Sequence, residues 1–377
     1  MRHYRPERIY LERAVRDSGI SRNVISRLPE VPWEVIDSAE DLLEEAKRRN
    51  PSIASGKKHL ILARHKGQFF KSCPAAQTRG SLRNVCCNYF VINYASNCHM
   101  ECSYCYLQAY LNMPYMVVYA NIDDLLKELA AVLEARPGDS LRIGTGELAD
   151  SLALDLLTRI SVPLVEFFAC QENAVLEFKT KSDCVENLLQ LDHRRRTVVS
   201  WSINPRFIQE HEEHKTASID ERLRAAEKCV LAGYPVAFHL DPLIHYPDWE
   251  ADYRALVEEI FDRIPPASLS WISLGALRMS PELKDVMKER FPNSRLPLGE
   301  LVPTADGKMR YFKPTRVEMY QKILGWIQAA SANTPVYTCM ENSNVWEKVF
   351  GTKPATETEV GNSVLSGLAA PLQSWLG

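Results

Sequence analysis

The run Ser96-Asn-Cys-His-Met-Glu-Cys-Ser-Tyr-Cys-Tyr106 decides the fold that we expect for this chain. It carries three cysteines, Cys98, Cys102 and Cys105, in the spacing C-x3-C-x2-C. Cubane iron–sulfur clusters are ligated by cysteine sulfur, so thiolates this close can hold three irons of a [4Fe–4S] cluster. The run directly follows a β-rich segment, and active residues of parallel α/β proteins lie after the carboxyl ends of strands. The spacing therefore predicts a cluster site with one open iron at the mouth of such a sheet.

An iron without a protein ligand can chelate a small molecule that carries an amine and a carboxylate, and S-adenosylmethionine (SAM) is one. Electron transfer into the SAM sulfonium breaks a C–S bond and releases a carbon radical, which is chemistry of the cofactor. The cysteine spacing resembles the signature of the radical SAM superfamily, which places an aromatic residue beside the adenine. That position is Tyr104 here. The resemblance implies two cofactors, a [4Fe–4S] cluster and SAM.

A zinc site is the first alternative, with His99 or a remote residue as fourth ligand. Zinc knuckles usually present pairs of C-x2-C motifs, and this chain has no second such motif to complete four ligands. Unliganded thiols are the second alternative.

Composition restricts the class of protein. The chain has 377 residues, ten cysteines and a formal net charge of −3. It can bury a large core, and the charge argues against histone-like binding while leaving room for a local basic stripe. Ten cysteines without an export signal indicate a reducing compartment. No apolar stretch reaches the roughly 18 residues that span a bilayer. We expect a soluble, cytoplasmic protein without a membrane partner.

Six β-rich segments alternate with amphipathic helices from residue 86 onward. The predicted strands are 87–93, 140–145, 174–180, 197–204, 235–240 and 268–274, and the clearest helices are 122–135, 218–232 and 249–264. Strands separated by helices of this length are typical of parallel sheets. Six such units favour an α/β fold built as a partial (β/α)6 TIM barrel of the radical SAM type, with N- and C-terminal extensions. An open doubly wound sheet is the alternative.

Four regions are expected along the chain. Residues 1–85 form an N-terminal extension packed on the barrel, with a helix at 38–47. Residues 86–280 form the radical SAM partial barrel. Residues 281–351 form a C-terminal region with a basic hairpin, and residues 352–377 form a loosely ordered tail.

Further stretches resemble the spore photoproduct lyase family within that superfamily. They are Arg64-His-Lys-Gly67, Phe70-Lys-Ser-Cys-Pro74, Cys102-Ser-Tyr-Cys-Tyr-Leu-Gln108, Phe178-Lys-Thr-Lys181, Ser202-Ile-Asn204 and Ala232-Gly-Tyr-Pro235. The resemblance implies a lyase that repairs a thymine photolesion in DNA. A 5′-deoxyadenosyl radical removes a hydrogen from the lesion, a methylene bridge breaks, and a cysteine returns a hydrogen with the help of a tyrosine. Tyr106 falls on the position of that tyrosine. The partners implied are lesion-bearing DNA and an electron donor such as a flavodoxin or ferredoxin.

The hydrogen-donating cysteine is where this sequence departs from the family. Many members carry C-T-S-D at the end of the second barrel strand, whereas this chain reads Arg142-Ile-Gly-Thr-Gly-Glu-Leu148. The stretch resembles instead a G-G-E motif that binds the SAM amino group, which would involve Gly144, Gly146 and Glu147. A plain strand-to-helix turn is the alternative. Cys73 is the candidate replacement donor, or else a small buried apolar residue, and the role of Cys339 is open.

Polar residues at the ends of later strands are candidate cofactor contacts. Lys181 could pair with the SAM carboxylate, and Ser202 and Asn204 could bind the ribose hydroxyls. His239 and Asp241 could bind adenosine or substrate. The alternatives are a solvated lysine, a turn at Asn204, and a structural pair between His239 and Asp241.

Residues 306–316 form the most basic, aromatic-containing loop. Asp306-Gly307 is a strong hairpin signal, and Tyr311 or Phe312 could stack on a base. The candidate phosphate contacts are Lys308, Arg310, Lys313 and Arg316. An ordinary solvated hairpin is the alternative.

Three functions remain open from the sequence. The first is a radical SAM lyase that repairs a pyrimidine lesion in DNA, which the basic hairpin favours. The second is a radical SAM enzyme acting on a small molecule or peptide, which the missing donor at the second strand favours. The third is a non-enzymatic iron–sulfur protein, although an electron carrier would ligate all four irons.

Overall fold

The computed structural model describes residues 4–49, 51–73, 84–85, 87–352, 360–361 and 365. The strands are β1 (Arg8–Glu12), β2 (Trp33–Ile36), β3 (His59–Ala63), β4 (Phe70–Ser72), β5 (Tyr89–Ile92), β6 (Ala95–Ser96), β7 (Glu101–Cys102), β8 (Met116–Tyr119), β9 (Leu141–Gly144), β10 (Ala174–Thr180), β11 (Thr197–Ser202), β12 (Glu213–His214), β13 (Val236–Leu243), β14 (Leu269–Ala276), β15 (Arg278–Met279), β16 (Val302–Pro303), β17 (Met309–Arg310) and β18 (Val336–Thr338). The helices are α1 (Gly19–Arg27), α2 (Ala39–Arg49), α3 (Ile53–Gly56), α4 (Leu107–Tyr110), α5 (Ile122–Glu134), α6 (Asp155–Thr158), α7 (Ser161–Ala169), α8 (Arg206–Glu212), α9 (Ile219–Leu231), α10 (Trp249–Arg263), α11 (Pro281–Arg290), α12 (Lys313–Ala330) and α13 (Ser343–Phe350).

The principal sheet has the strand order β18-β14-β13-β11-β10-β9-β5-β4. From β5 to β18 all neighbours are parallel and follow chain order, and β4 is antiparallel on the edge strand β5. A doubly wound sheet reverses its strand order at a switch point, and this sheet has no reversal. The sheet instead curls as a half-barrel, which confirms the α/β class expected from the sequence.

All six predicted strands lie in this sheet, and β18 adds a seventh parallel strand that sequence patterning missed. Because β18 is only three residues long and lies between two helices, its period-2 pattern is too short to recognise. The count of six units is therefore not confirmed.

The helices of the half-barrel follow the sequence pattern closely. In α5, Leu125, Leu129 and Leu133 are buried at four-residue spacing and pack one face on the core. Helix α9 begins at a capping box, in which the Ser218 Oγ accepts from the Glu221 N–H and the Glu221 carboxylate accepts from the Ser218 N–H at 2.8 Å. The predicted helices 122–135, 218–232 and 249–264 correspond to α5, α9 and α10.

A second sheet joins the N-terminal residues to the cysteine loop. Its order is β2-β1-β3-β8-β6, with β6 antiparallel to β8 and the other neighbours parallel. Strands β6 and β8 flank the three cysteines in sequence, so this sheet fixes the base of the cysteine loop. The helix predicted at 38–47 is confirmed as α2. The predicted region boundaries stay predictions, and most of the expected tail at 352–377 lies outside the described residues.

Among the described residues, no helix has both the length and the apolar character needed to cross a membrane.

Candidate active site

The three cysteines lie in the loop between β5 and α4, at the carboxyl end of the sheet. Asn97 adopts a left-handed backbone (φ 73°), which asparagine tolerates, and its side chain accepts from the Cys98 N–H at 2.8 Å. Cys102 is in β7, which pairs with β12. The Cys105 N–H donates to the Cys102 carbonyl at 3.1 Å. Backbone hydrogen bonds therefore determine where each thiol lies.

The arrangement of the thiols fits a cluster held by three sulfurs. Cys98 and Cys105 line one cavity of about 150 Å³ together with Lys57 and Gln108, and Cys102 lies within electrostatic range of both other thiols. Burial raises the pKa of Cys98 to about 12. Ligand binding at these thiols must therefore release protons.

Zinc binding at these thiols stays an alternative. Within the described ranges, no group of three histidine, cysteine or acidic side chains is already arranged around one metal position. The ring of His99, which was the candidate fourth zinc ligand, packs against Tyr4 with centroids 5.2 Å apart.

A buried charged network lies directly beside the cysteines. The Tyr104 hydroxyl donates to the Glu213 carboxylate, which also accepts from the Asn204 amide at 3.0 Å and pairs with Arg222 at 2.6 Å. Lys181 lies 3.9 Å from Glu213 and 5.9 Å from the centre of the Tyr104 ring. Burial alone would raise the pKa of Glu213, but Arg222 and Lys181 lower it to about 2. The structure thus brings Tyr104, Lys181 and Asn204 together, as predicted for site residues.

Glu213 and Arg222 were missed by sequence reasoning. Glu213 lies in the run Glu210-His-Glu-Glu-His214, which reads as solvated surface, and Arg222 is on an amphipathic helix. Only the tertiary fold turns them inward, where both side chains are fully buried.

The two predicted ribose contacts already take part in hydrogen bonds within the protein, Asn204 through its side chain and Ser202 through its main chain. Asn204 is buried and its Oδ1 accepts from the Tyr253 hydroxyl at 2.7 Å. The main-chain carbonyl of Ser202 accepts from Arg222 at 2.8 Å. A ribose role for either side chain stays a prediction.

The turn after β9 approaches the cysteine loop. A Cβ on Gly144 would lie 1.6 Å from the Tyr89 hydroxyl oxygen, and one on Gly146 would lie 3.2 Å from the Lys179 Cβ. The Glu147 carboxylate accepts from the Asn93 amide at 2.9 Å. Both glycines therefore have a steric reason to be glycine, and the predicted contact with the SAM amino group stays a prediction.

His239 and Asp241 do not pair with each other, so that structural alternative is wrong. The His239 Nε2 lies 2.6 Å from Glu177, and its Nδ1 contacts the Ser273 hydroxyl. Asp241 pairs with Arg278 at 3.0 Å. Burial lowers the pKa of His239 to about 4, so its imidazole is neutral near pH 7. Binding of adenosine or substrate by either residue stays a prediction.

The interior of the half-barrel holds a charge pair that the strand pattern did not reveal. Arg142 and Glu177 are buried with their side chains 2.7 Å apart. The Arg142 guanidinium also donates to the Tyr337 hydroxyl at 2.8 Å and lies 4.1 Å above the Trp271 ring. The sequence signal that could have found Arg142 and Glu177 is a charged residue within each of two largely apolar strands, β9 and β10.

Cys73 lies near Tyr106 and Cys339, and it follows the antiparallel edge strand β4 at the amino end of β5. Cys73 follows β4, and its N–H donates to the Tyr89 carbonyl at 3.0 Å. Its thiol is within electrostatic range of both Tyr106 and Cys339. Cys339 follows β18, and burial raises its pKa to about 12. Cys73 is thus compatible with the role predicted for it.

The predicted hairpin is confirmed, but its charges are arranged differently. β16 and β17 are antiparallel around Gly307, whose φ is 77°. Arg310 is buried against Asp306 at 2.7 Å, and Arg316 is buried against Glu341 at 2.8 Å.

The alternative of an ordinary solvated hairpin is therefore corrected for Arg310 and Arg316, whose charges are neutralised inside the protein. The Tyr311 hydroxyl is also buried, where it accepts from the His245 N–H at 3.1 Å. Lys308 and Lys313 are half-buried and Phe312 is 61% exposed. Nucleic-acid contact by Arg310, Tyr311 or Arg316 stays a prediction that requires these internal contacts to open.

The fold and the site together define a class: a half-barrel α/β protein with three cysteines in the loop after its first parallel strand. A family model described as "Spore photoproduct lyase" matches residues 81–320. The chain belongs to the spore photoproduct lyase family of the radical SAM superfamily.

Curated relatives and solved structures agree with this membership. The chain is 31% identical over 214 residues to the spore photoproduct lyase of a Geobacillus species, which is 56% of this chain and 63% of that protein. It therefore spans less than two thirds of that relative. It is 24% identical over 298 residues to the enzyme of Clostridium acetobutylicum, covering 78% and 84% of the two chains.

The solved structures resemble the fold over most of its length. A spore photoproduct lyase complexed with dinucleoside spore photoproduct has a TM-score of 0.77 at 25% identity, covering 89% of this chain and 99% of that one. A variant with bound AdoMet and the same dinucleoside has a TM-score of 0.76 at 24% identity over the same shares.

Proposed function

We propose that this chain is a radical SAM enzyme that repairs a pyrimidine photolesion in DNA. Cys98, Cys102 and Cys105 hold a [4Fe–4S] cluster in this proposal. The observation that carries it is the proximity of these thiols to one another and to Lys181, whose ammonium is within electrostatic range of Cys102 and Cys105. A cluster with an open iron and a cation beside it suits an amino acid cofactor that brings its own carboxylate.

When bound, the cluster and SAM supply a 5′-deoxyadenosyl radical. The residues around them bind and orient. Lys181 is only loosely held by Glu213, so its ammonium can turn to the SAM carboxylate. The Tyr104 ring offers an apolar surface beside the adenine, and its bond to Glu213 fixes the ring. The carbonyls of the turn from Gly144 to Glu147 can approach the SAM ammonium because the glycines lack side chains.

Cys73 returns a hydrogen atom to the product radical in this proposal. Its thiol lies near Tyr106, and the Tyr106 hydroxyl donates to the Glu147 carbonyl. Tyr106 assists the transfer from this position between the cysteine loop and the turn after β9. The electron donor is a flavodoxin or ferredoxin.

Lesion-bearing DNA is the proposed substrate because relatives of this fold are described with dinucleoside spore photoproduct. Chemistry on a base requires extruding it from the duplex, and the exposed Phe312 at the end of the hairpin can fill the gap. The burial of Arg310 and Arg316 reduces the basic surface, and this favours the second candidate, a radical SAM enzyme with a non-DNA substrate.

The test uses the anaerobically reconstituted full-length protein. We expect about four iron and four sulfide per chain, SAM cleavage under dithionite, and conversion of spore photoproduct dinucleotide to the dinucleotide with two separate thymines. Cys98→Ala should abolish SAM cleavage, whereas Cys170→Ala, which alters an exposed thiol, should leave it unchanged. SAM cleavage without repair of the lesion would favour the non-DNA substrate. SAM cleavage by Cys98→Ala would contradict the radical SAM assignment.

A further inference from the structure

Two lysines, Lys179 and Lys308, lie at the mouth of the half-barrel. The function proposed above gives them no joint role. Lys179 is on β10 and Lys308 is on the hairpin between β16 and β17. Both are half-buried. Among the described residues, neither ammonium has a carboxylate within ion-pair distance.

Lys179 points into the half-barrel by strand alternation. Side chains two residues apart lie on the same face of a strand, and Glu177 and Val175 of β10 both face the interior, where Val175 packs in one cluster with Trp271 and Tyr337. Lys179 is the next residue of this row toward the carboxyl end. The neighbouring turn agrees with this position of Lys179, because a Cβ on Gly146 would lie 3.2 Å from the Lys179 Cβ.

Lys308 reaches the same mouth from the opposite side. Its Nζ lies 3.9 Å from the Met340 sulfur, which is a weak acceptor. Burial lowers the pKa of Lys308, and the charge of Arg278 lowers it further. Lys179 and Lys308 are each within electrostatic range of the Cys339 thiol, so the two ammonium groups approach a common region.

Two carboxylates beside these lysines are already paired with arginines. Asp241 pairs with Arg278 at 3.0 and 3.3 Å, and Asp306 pairs with Arg310 at 2.7 Å. Within the part of the chain that the structure describes, Lys179 and Lys308 are therefore left without an ion-pair partner of their own. Half-buried ammonium groups that lack such a partner are costly to maintain, so the mouth is suited to an anion.

We propose that Lys179 and Lys308 form an anion subsite that binds the phosphate linking the two nucleosides of the lesion. This inference rests on the proposed function, because the linking phosphate is the anion closest to the reacting bases of a DNA photolesion. Lysine binds phosphate as a point charge with three donors. The subsite holds the substrate by its backbone and leaves the bases free to face Cys73 and Tyr106.

The test compares the spore photoproduct dinucleotide with the dinucleoside, which lacks the phosphate. We expect the unmodified enzyme to have a KM about tenfold lower for the dinucleotide, as one well-placed charged contact provides. Lys179→Met and Lys308→Met should each remove most of this preference and leave turnover of the dinucleoside within about twofold. The control Lys228→Met changes a surface lysine paired with Glu186 and should retain the preference.

The outcomes separate the two proposals. Equal KM values for the two substrates in the unmodified enzyme, or a preference that survives in both methionine variants, would overturn the subsite alone. A raised KM for SAM in Lys179→Met, with the phosphate preference unchanged, would also overturn it. Absence of lesion repair with both substrates would overturn the proposed function and the subsite together.

Discussion

The hydroxyl of Tyr106 donates a hydrogen bond to the main-chain carbonyl oxygen of Glu147. This bond links the residue after the third cysteine to the turn after β9. It therefore joins the proposed cluster loop to the proposed cradle for the SAM amino group. The Tyr106 ring packs against the Tyr110 ring at a tilt of 56°, with the centroids 5.8 Å apart, and it is partly exposed, so a substrate can reach it.

Tyr106→Phe should uncouple SAM cleavage from repair. The ring and its packing remain, so SAM cleavage should stay within about twofold, whereas formation of the repaired dinucleotide should fall about tenfold because the hydroxyl that assists hydrogen transfer is lost. Both products can be quantified in one assay. Tyr110→Phe, which changes a neighbouring exposed hydroxyl, is the matched control. Equal losses of both activities would show that Tyr106 acts only by positioning the loop.

Glu213→Ala should strongly destabilise the fold. It removes the counter-charge of the fully buried Arg222, and breaking a buried ion pair costs about 3–5 kcal/mol. The free energy of unfolding in urea measures this loss. Glu258→Ala removes the surface partner of Arg254 and should change stability by no more than about 0.5 kcal/mol. Similar values for the two variants would contradict the network described beside Tyr104.

Gly144→Ala should lower stability in the absence of any cofactor. The added Cβ would overlap the Tyr89 hydroxyl, which lies 1.6 Å from its position, and overpacking a core costs about 1–3 kcal/mol. Gly138→Ala adds a methyl group where no atom lies within 4 Å and serves as control. If Gly144→Ala is as stable as the unmodified protein and only SAM binding is weakened, Gly144 is a cofactor residue without a packing role.

Acid should destabilise the protein partly through His239. Its folded-state pKa is lowered from 6.5 to about 4 by burial. The unfolded chain therefore binds more protons than the folded one between these values. The unfolding free energy should fall as the pH decreases from about 6.5 toward 4, by up to about 1.4 kcal/mol per pH unit from this group. Urea unfolding between pH 7 and 5 measures the slope of the unfolding free energy against pH. His239→Gln should reduce this slope by close to the equivalent of one bound proton. An unchanged slope would mean that His239 is protonated in the fold.

The sequence was most informative where a pattern is local. The cysteine spacing, the six strands, the helix at 218–232 and the turn at Gly307 all depend on a few neighbouring residues, and each corresponds to a feature of the structure. Strand order followed from the alternation of strands and helices, because parallel neighbours require crossover connections.

The sequence was least informative where charges meet across strands. Arg310 and Arg316 were predicted as phosphate contacts, yet Asp306 neutralises Arg310 within the hairpin and Glu341 neutralises Arg316 across the fold. Glu213 and Lys179 were overlooked because charged residues are usually solvated, and only tertiary packing turns them inward. β18 was missed because it is a short strand completed by pairing with β14.

The measurement that tests the account most directly is the fate of hydrogen from the lesion. The reconstituted enzyme is incubated with SAM, dithionite and uniformly deuterated spore photoproduct dinucleotide, and the 5′-deoxyadenosine and the repaired dinucleotide are analysed by mass spectrometry. We expect deuterium in 5′-deoxyadenosine or in recovered SAM, together with repair of the lesion. SAM cleavage that yields only unlabelled 5′-deoxyadenosine, with the lesion unchanged, would contradict the claim that the radical attacks a DNA photolesion.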